Sequence, residues 1–323
     1  MTRSSWLALV LGVSMLSVGS GCDGDGSGTG GSGGSGGDTG GAGGTGGSGG
    51  TGGDTGGTGG TGGSGPMPFV INFEGRVGDK VFSCADTYTG LGTSNAEAKI
   101  TDFRVYVHDI ELLAGGEKIP VTLEQDGVWQ YENLALLDFE SGDGACANGT
   151  TELHTAITGT VPEGTGPFDG IRFKVGVPFE LNHADVATAP SPLNLTGLFW
   201  NWNGGYKFLR VDSVPVGAAM SFNLHLGSTE CMDDGNGGVS MCNKPNRPEV
   251  ELSGTSPLTT KILVDYAAAV SGADLSQNMG GAPGCMSGAT DPECGPIFDH
   301  LGIDIDTGAP KAGQTMFRFE TPN

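Results

Sequence analysis

The chain has 323 residues, of which 62 are glycine, 37 acidic and 15 basic, for a net charge of −22. The glycines keep no strict period of three and have few prolines among them, which excludes a collagen-like chain. No Lys/Arg cluster occurs, and nucleic acid is not an expected partner, because binding phosphate takes concentrated positive charge.

Arg3 precedes an apolar run from Trp6 to Val18, and Gly19, Ser20 and Gly21 stand directly before Cys22. The run is too short to span a bilayer, which takes ~20 apolar residues, and reads as a secretory signal peptide over 1–21. Val18-Gly19-Ser20-Gly21-Cys22 resembles a bacterial lipobox, which predicts cleavage before Cys22 and a lipid on its sulfur. The expected location is therefore the periplasm or the cell surface, with the chain held on the outer membrane as a lipoprotein. Residues 22–65 are more than half glycine, interrupted almost only by Ser, Thr and Asp. Such a segment cannot offset its own ordering entropy and is expected to be a disordered tether with a root-mean-square span of ~36 Å.

Residues 66–323 carry the apolar residues needed for a core. Period-two alternation recurs: Phe69, Ile71 and Phe73; Phe103, Val105 and Val107; Ile171, Phe173, Val175 and Val177; Met220, Phe222, Leu224 and Leu226. Short alternating segments separated by Gly, Pro and Asn clusters predict an all-β fold, an antiparallel Ig-like β-sandwich with long loops. Helix is expected only near Lys261–Val270 and Pro296–Leu301. The connection from Pro178 to Leu198 is long for a compact domain, and loops of that length are usually functional or disordered.

Six cysteines follow Cys22: Cys84, Cys146, Cys231, Cys242, Cys285 and Cys294. An even number in an oxidising compartment predicts three disulfides. Cys231–Cys242 and Cys285–Cys294 each enclose a turn-rich loop and read as local staples, which leaves Cys84–Cys146. Asp233 to Gly238 has some features of a calcium loop but lacks the glutamate at its twelfth position. Asp304 and Asp306, placed on a strand, read as a solvated face. No nucleophile–base pair or paired-carboxylate arrangement stands out, and the chain is not expected to be an enzyme.

Five histidines remain. Alternation turns His108 and His225 away from the assigned core face, and His183 lies in the long loop. Three imidazoles on two strands and a loop are candidates to converge on a metal, and imidazole suits copper, zinc or iron. His154 and His300 are read as structural or solvated. Phe199-Trp200-Asn201-Trp202-Asn203-Gly204-Gly205-Tyr206 follows the long loop; alternation places Trp200 and Trp202 on one face, as core-filling rings would be. Met286 is read as a buried gap-filler, with capping of Cu(I) as the alternative.

Gly176-Val177-Pro178-Phe179-Glu180-Leu181-Asn182-His183-Ala184-Asp185, Ala189-Pro190-Ser191-Pro192-Leu193-Asn194-Leu195, the Trp200-x-Trp202-x-x-Gly205-Tyr206-Lys207-Phe208 segment, Leu224-His225-Leu226-Gly227-Ser228-Thr229-x-Cys231 and Gly281-Ala282-Pro283-Gly284-Cys285-Met286-Ser287-Gly288 together resemble the MbnP-like family. These are secreted proteins of copper handling, also described as the four-Cys member of a metallo-mystery pair; Cys231, Cys242, Cys285 and Cys294 fit those four. The resemblance covers about Phe69 to Phe319. It implies a copper binder (Cu+ or Cu2+) whose partner is a di-haem c-type cytochrome of the peroxidase class (MbnH-like). In relatives that partner oxidises a tryptophan to kynurenine, which helps histidines hold copper. Here the expected ligands are His108, His183 and His225, and the candidate tryptophans are Trp200 and Trp202, with Trp129 on the Val128–Tyr131 segment as the alternative. This chain has no Cys-x-x-Cys-His haem attachment motif of its own. The competing reading is a metal-free surface scaffold or adhesin module of Ig-like fold.

Overall fold

The computed structural model describes residues 65–147 and 149–321. The expected signal peptide, Cys22 and the glycine-rich linker through residue 64 lie outside the described residues.

Two main sheets share one core. The smaller runs Phe317–Phe319, Ile262–Asp265, Met67–Val77, Ala156–Val161, Thr122–Leu123, with Lys80–Val81 added on Met67–Val77. The larger runs Glu249–Ser253, Gly170–Val175, Ala96–Ala114, Leu209–Pro215, Phe222–Leu226, Gly284–Cys285, and the 19-residue Ala96–Ala114 strand also pairs with Thr87–Leu91, Glu117–Pro120 and Leu134–Asp138. Pairing is antiparallel except for Met67–Val77 with Ile262–Asp265 and Phe222–Leu226 with Gly284–Cys285. Phe73 of the smaller sheet meets Phe173 of the larger edge-on at 6.1 Å, and Phe173 meets Phe317 at 5.3 Å. Such edge-to-face rings contribute about 0.5–1.5 kcal/mol each beyond their buried area. The fold is the all-β, disulfide-bonded architecture that the alternation predicts.

Two local expectations are corrected and one holds. Lys261–Val270 is not one helix: Ile262, Leu263 and Val264 are buried between two neighbouring strands. Only after Asp265, whose carboxylate accepts from the Ala267 and Ala268 amides as an N-cap, does a single turn Tyr266–Ala269 form. An apolar run covered on both faces has no helical period to follow, so tertiary pairing decides. The second helix, Cys294–Leu301, is as expected and ends at Gly302, whose φ of 74° is the left-handed conformation of a helix stop. Asp304 is not on a strand; its Oδ1 accepts from Thr307 N and Oγ1 in a turn.

The long strand is covered on both faces. Phe103, Val105 and Val107 are fully buried, yet so, nearly, are Arg104 and His108 on the opposite face, and His225 is only 7% exposed. The expectation of an outward face for these histidines fails because the long connections fold over it. That outer face holds a charged row. The Arg104 guanidinium pairs with Asp102, Arg210 bridges Asp102 and Asp212, and His225 Nε2 lies 2.5 Å from Asp212 Oδ1.

Candidate functional site

The Pro178–Leu198 connection is ordered by a few buried polar groups. Gly176 leaves the sheet at a φ of 133° that only glycine adopts readily, and Pro178 leads into the single helical turn Phe179–Asn182. Asn182 is fully buried; its Oδ1 accepts from Tyr206 N at 3.0 Å. Gly205 presses against it so closely that a Cβ there would lie 2.4 Å from Asn182 Nδ2, at a φ of 72°. The proline-rich stretch is pinned by two tyrosines that meet edge-on at 6.1 Å: Tyr106 Oη donates to Pro192 O and Tyr206 Oη to Leu193 O. Burial pushes the Tyr206 phenol up to about 12, so it remains a donor at neutral pH.

His183 follows that turn. Its Nδ1 lies 2.9 Å from Trp202 O, and since a carbonyl only accepts, Nδ1 carries the proton and Nε2 the lone pair. Nε2 lies 3.1 Å from Asn182 Nδ2 and 3.5 Å from Cys242 Sγ. Burial lowers its pKa, with the Arg247 charge adding to the effect and the Trp202 carbonyl opposing it. The imidazole is therefore neutral at pH 7, as a ligand must be. His183, Cys231 and Cys242 bring their donor atoms within 4.8 Å of one another. The two sulfurs form a disulfide across the Thr229–Asp233/Val239–Lys244 hairpin, so the ring nitrogen is the strong donor of the group. Cys84, Glu140 and Cys146 form a second such group, again with both sulfurs tied in a disulfide.

Trp200 and Trp202 do not fill the core as their alternation suggests. They lie on a short hairpin, Phe199–Asn201 with Gly205–Tyr206, whose turn is closed by Gly204 N donating to Asn201 Oδ1. Trp202 is 45% exposed and Trp200 half-buried. The six-membered ring of Trp200 rests on Gly227, where a Cβ would lie 2.4 Å from Cζ3. Gly227 is held by Ser287 Oγ, which accepts from its amide, and by Asn246 Nδ2, which donates to its carbonyl. Asn182, Asn246 and Ser287 thus frame the site, and sequence reading did not single them out. Asn182 and Ser287 lie inside the quoted motifs as small polar residues, whereas Asn246 lies in none of them and carries no sequence signal.

The three histidines expected to converge do not. Among the described residues His108, His183 and His225 share no group within ligand reach. His225 is engaged by Asp212, and His108 lies four residues along the long strand from Arg104, which pairs with Arg210, the neighbour of His225. That offset alone separates their rows by ~13 Å. His108 faces a separate cleft, and burial lowers its pKa, opposed by Asp109 and reinforced by Arg247 and Lys174. Trp129 precedes the Gln130–Tyr131 strand and stacks on His154, rings parallel within 2° and 5.2 Å apart, while His154 Nδ1 donates to Leu136 O at 2.6 Å. His300 bonds Ser271 and Thr315, a structural role as expected, and Met286 is half-buried. The pairs Cys84–Cys146, Cys231–Cys242 and Cys285–Cys294 are those the spacing indicates.

An all-β domain of two sheets around one core, stapled by disulfides, with a locked imidazole beside an exposed tryptophan hairpin, belongs to the class of disulfide-bonded β-sandwiches. A family model, MbnP, matches residues 66–287, and the chain belongs to the MbnP family. The solved structure of MbnP from Methylosinus trichosporium is similar at 28% identity and a TM-score of 0.69, covering 78% of this chain and 97% of that one. A search of curated proteins gave no match.

Proposed function

We propose that this chain is a secreted copper-binding protein, tethered to the outer membrane through Cys22, whose copper site is built at His183 and completed by an oxidised Trp200. One observation carries the reading: the His183 proton is committed to the Trp202 carbonyl, which aims a neutral lone pair from the tryptophan hairpin's own neighbour. The residues fit a soft or borderline metal only in part. Among the described residues His183 is the sole imidazole of its group, so a second strong donor has to be made. Opening the indole C2–C3 bond is a four-electron oxidation that puts an oxygen on each carbon, with peroxide used by the haem partner as the oxidant; hydrolysis then releases C2 as formate and leaves kynurenine, with an aromatic amine and a ketone. Copper accepts such nitrogen and oxygen donors beside imidazole. Copper bound there supplies the ion to be carried; the protein is a binder, not an enzyme.

Trp200 is favoured over Trp202 because it is half-buried and fixed against Gly227, whereas Trp202 already serves through its carbonyl. The oxidising power comes from a di-haem partner, as this chain has no haem attachment motif. The parallel Trp129–His154 stack supports a second locus for the same chemistry. Replacing His183 with Ala tests the first locus. Copper affinity should fall at least ~10-fold, as expected for loss of a ligand held by its outer contacts. Thermal unfolding of the metal-free form should move only a few degrees, because a half-buried ring whose nitrogens bond Trp202 O and Asn182 Nδ2 contributes about 1–2 kcal/mol. Undiminished copper binding would move the site to His154; protein that binds no copper at all would favour a metal-free scaffold.

A further inference from the structure

Beyond Phe179, whose ring meets His183 edge-on at 5.4 Å, lies a separate cleft of about 410 Å³. Its floor is His108 and Lys174 on adjacent strands, and its walls are Phe179, Arg247 and the rings of Pro178, Pro245 and Pro310. Three buried polar atoms there lack hydrogen bonds: both ring nitrogens of His108 and one guanidinium nitrogen of Arg247. His108, 3% exposed, has neither ring nitrogen bonded; Nδ1 lies 3.3 Å from Asp109 Oδ2 in poor alignment, and Nε2 has no partner. Arg247 donates from Nε to Val177 O and from Nη1 to Pro245 O, and stacks over Phe208 at 4.8 Å, but its Nη2 is unbonded. Only neutral groups hold this guanidinium, and none of the ion pairs among the described residues includes it. Lys174, in contrast, is neutralised by Asp109, which also accepts from Asn133.

We propose that the cleft binds a small monocarboxylic acid with an apolar body, its carboxylate held by Arg247 Nη2 and His108 Nε2. Unsatisfied buried donors on an always-charged guanidinium match a carboxylate, which accepts at both oxygens. The carboxylate's charge favours the doubly protonated ring, with Asp109 on Nδ1 and the ligand on Nε2. A dianion such as phosphate fits poorly, because Asp109 and Glu180 on the same walls repel a second negative charge. Three prolines and a phenylalanine give the body an apolar, rigid enclosure, as pockets for small organic ligands commonly do.

Titrating the intact protein with benzoate, while following the His108 ring signals by NMR, tests this directly. Benzoate should shift the His108 Nε2 resonance saturably with one-to-one stoichiometry, and neutral benzamide and phosphate should not. Arg247→Met should weaken benzoate binding about 10- to 100-fold, the effect of removing one charge-assisted hydrogen bond. Should that variant fail to fold, the benzoate–benzamide contrast on the unaltered protein decides alone. No saturable shift with benzoate, equal binding of benzamide, tighter binding of a short peptide through its free C-terminus, or a shift produced by copper instead would each overturn the proposal.

Discussion

A single carbonyl decides what His183 can do. Trp202 O takes the Nδ1 proton, burial keeps the ring neutral, and Nε2 is left as the donor nitrogen. The same precision governs Trp200, which rests on a glycine with no room for a methyl: a Cβ on Gly227 would also lie 2.7 Å from Tyr206 O. Backbone cannot yield as a flexible side chain can, so Gly227→Ala should displace the Trp200 ring. The variant should fold with a Tm several degrees lower, through overpacking of about 1–3 kcal/mol, and show altered near-ultraviolet circular dichroism from tryptophan. An unchanged tryptophan spectrum would mean that Gly227 does not position that ring. His183 was legible in the sequence as a loop histidine, whereas the Trp-x-Trp segment beside it read as a core strand and is a partly exposed hairpin. His108 and His225 were not, because alternation reports which residues share a face and says nothing of whether a distant connection covers it.

Among the elements, the Leu134–Asp138 strand carries a titrating group into the covered face. Burial pushes the Asp138 carboxyl up to about 7; Glu140 beside it adds to the rise, while the Thr150 hydroxyl and Arg104 oppose it. In the unfolded chain the same group titrates near 3.8. Between these values the folded state keeps a proton that the unfolded chain has released, so stability falls as pH rises from ~4 to ~7, by on the order of a few kcal/mol. Asp138→Asn preserves the bonds to Thr150 and the Glu140 amide, and should flatten that part of the profile when denaturant unfolding is followed at several pH values. A parallel pH slope in both proteins would show that Asp138 does not hold the proton. Strand alternation predicted the main strands Met67–Val77, Ala96–Ala114, Gly170–Val175 and Phe222–Leu226 because each has one face on the shared core. Ile262–Asp265 escaped it, being buried on both faces and followed at once by a capped helical turn.

Across the whole molecule, the disulfides divide their work between stability and site. Cys84–Cys146 closes a separation of 62 residues and Cys231–Cys242 only 11. Chain entropy makes removal of the first cost ~4 kcal/mol and of the second ~3 kcal/mol. Serine replacement of Cys84 and Cys146 should therefore lower the Tm more and leave copper affinity intact. Replacement of Cys231 and Cys242, which lie against His183, should do the reverse; equal losses of affinity in both variants would contradict that division. The folded part beyond residue 65 was readable from composition as the segment that carries a core, whereas the two frameworks around its clefts depend on contacts between segments far apart in sequence. The most direct test of copper binding at His183 is peptide mapping of the protein produced together with a di-haem partner. Kynurenine should appear at Trp200, with Trp202 and Trp129 intact and stoichiometric copper that disappears in Trp200→Phe. Intact Trp200 in copper-loaded protein, or kynurenine at Trp129, would contradict it.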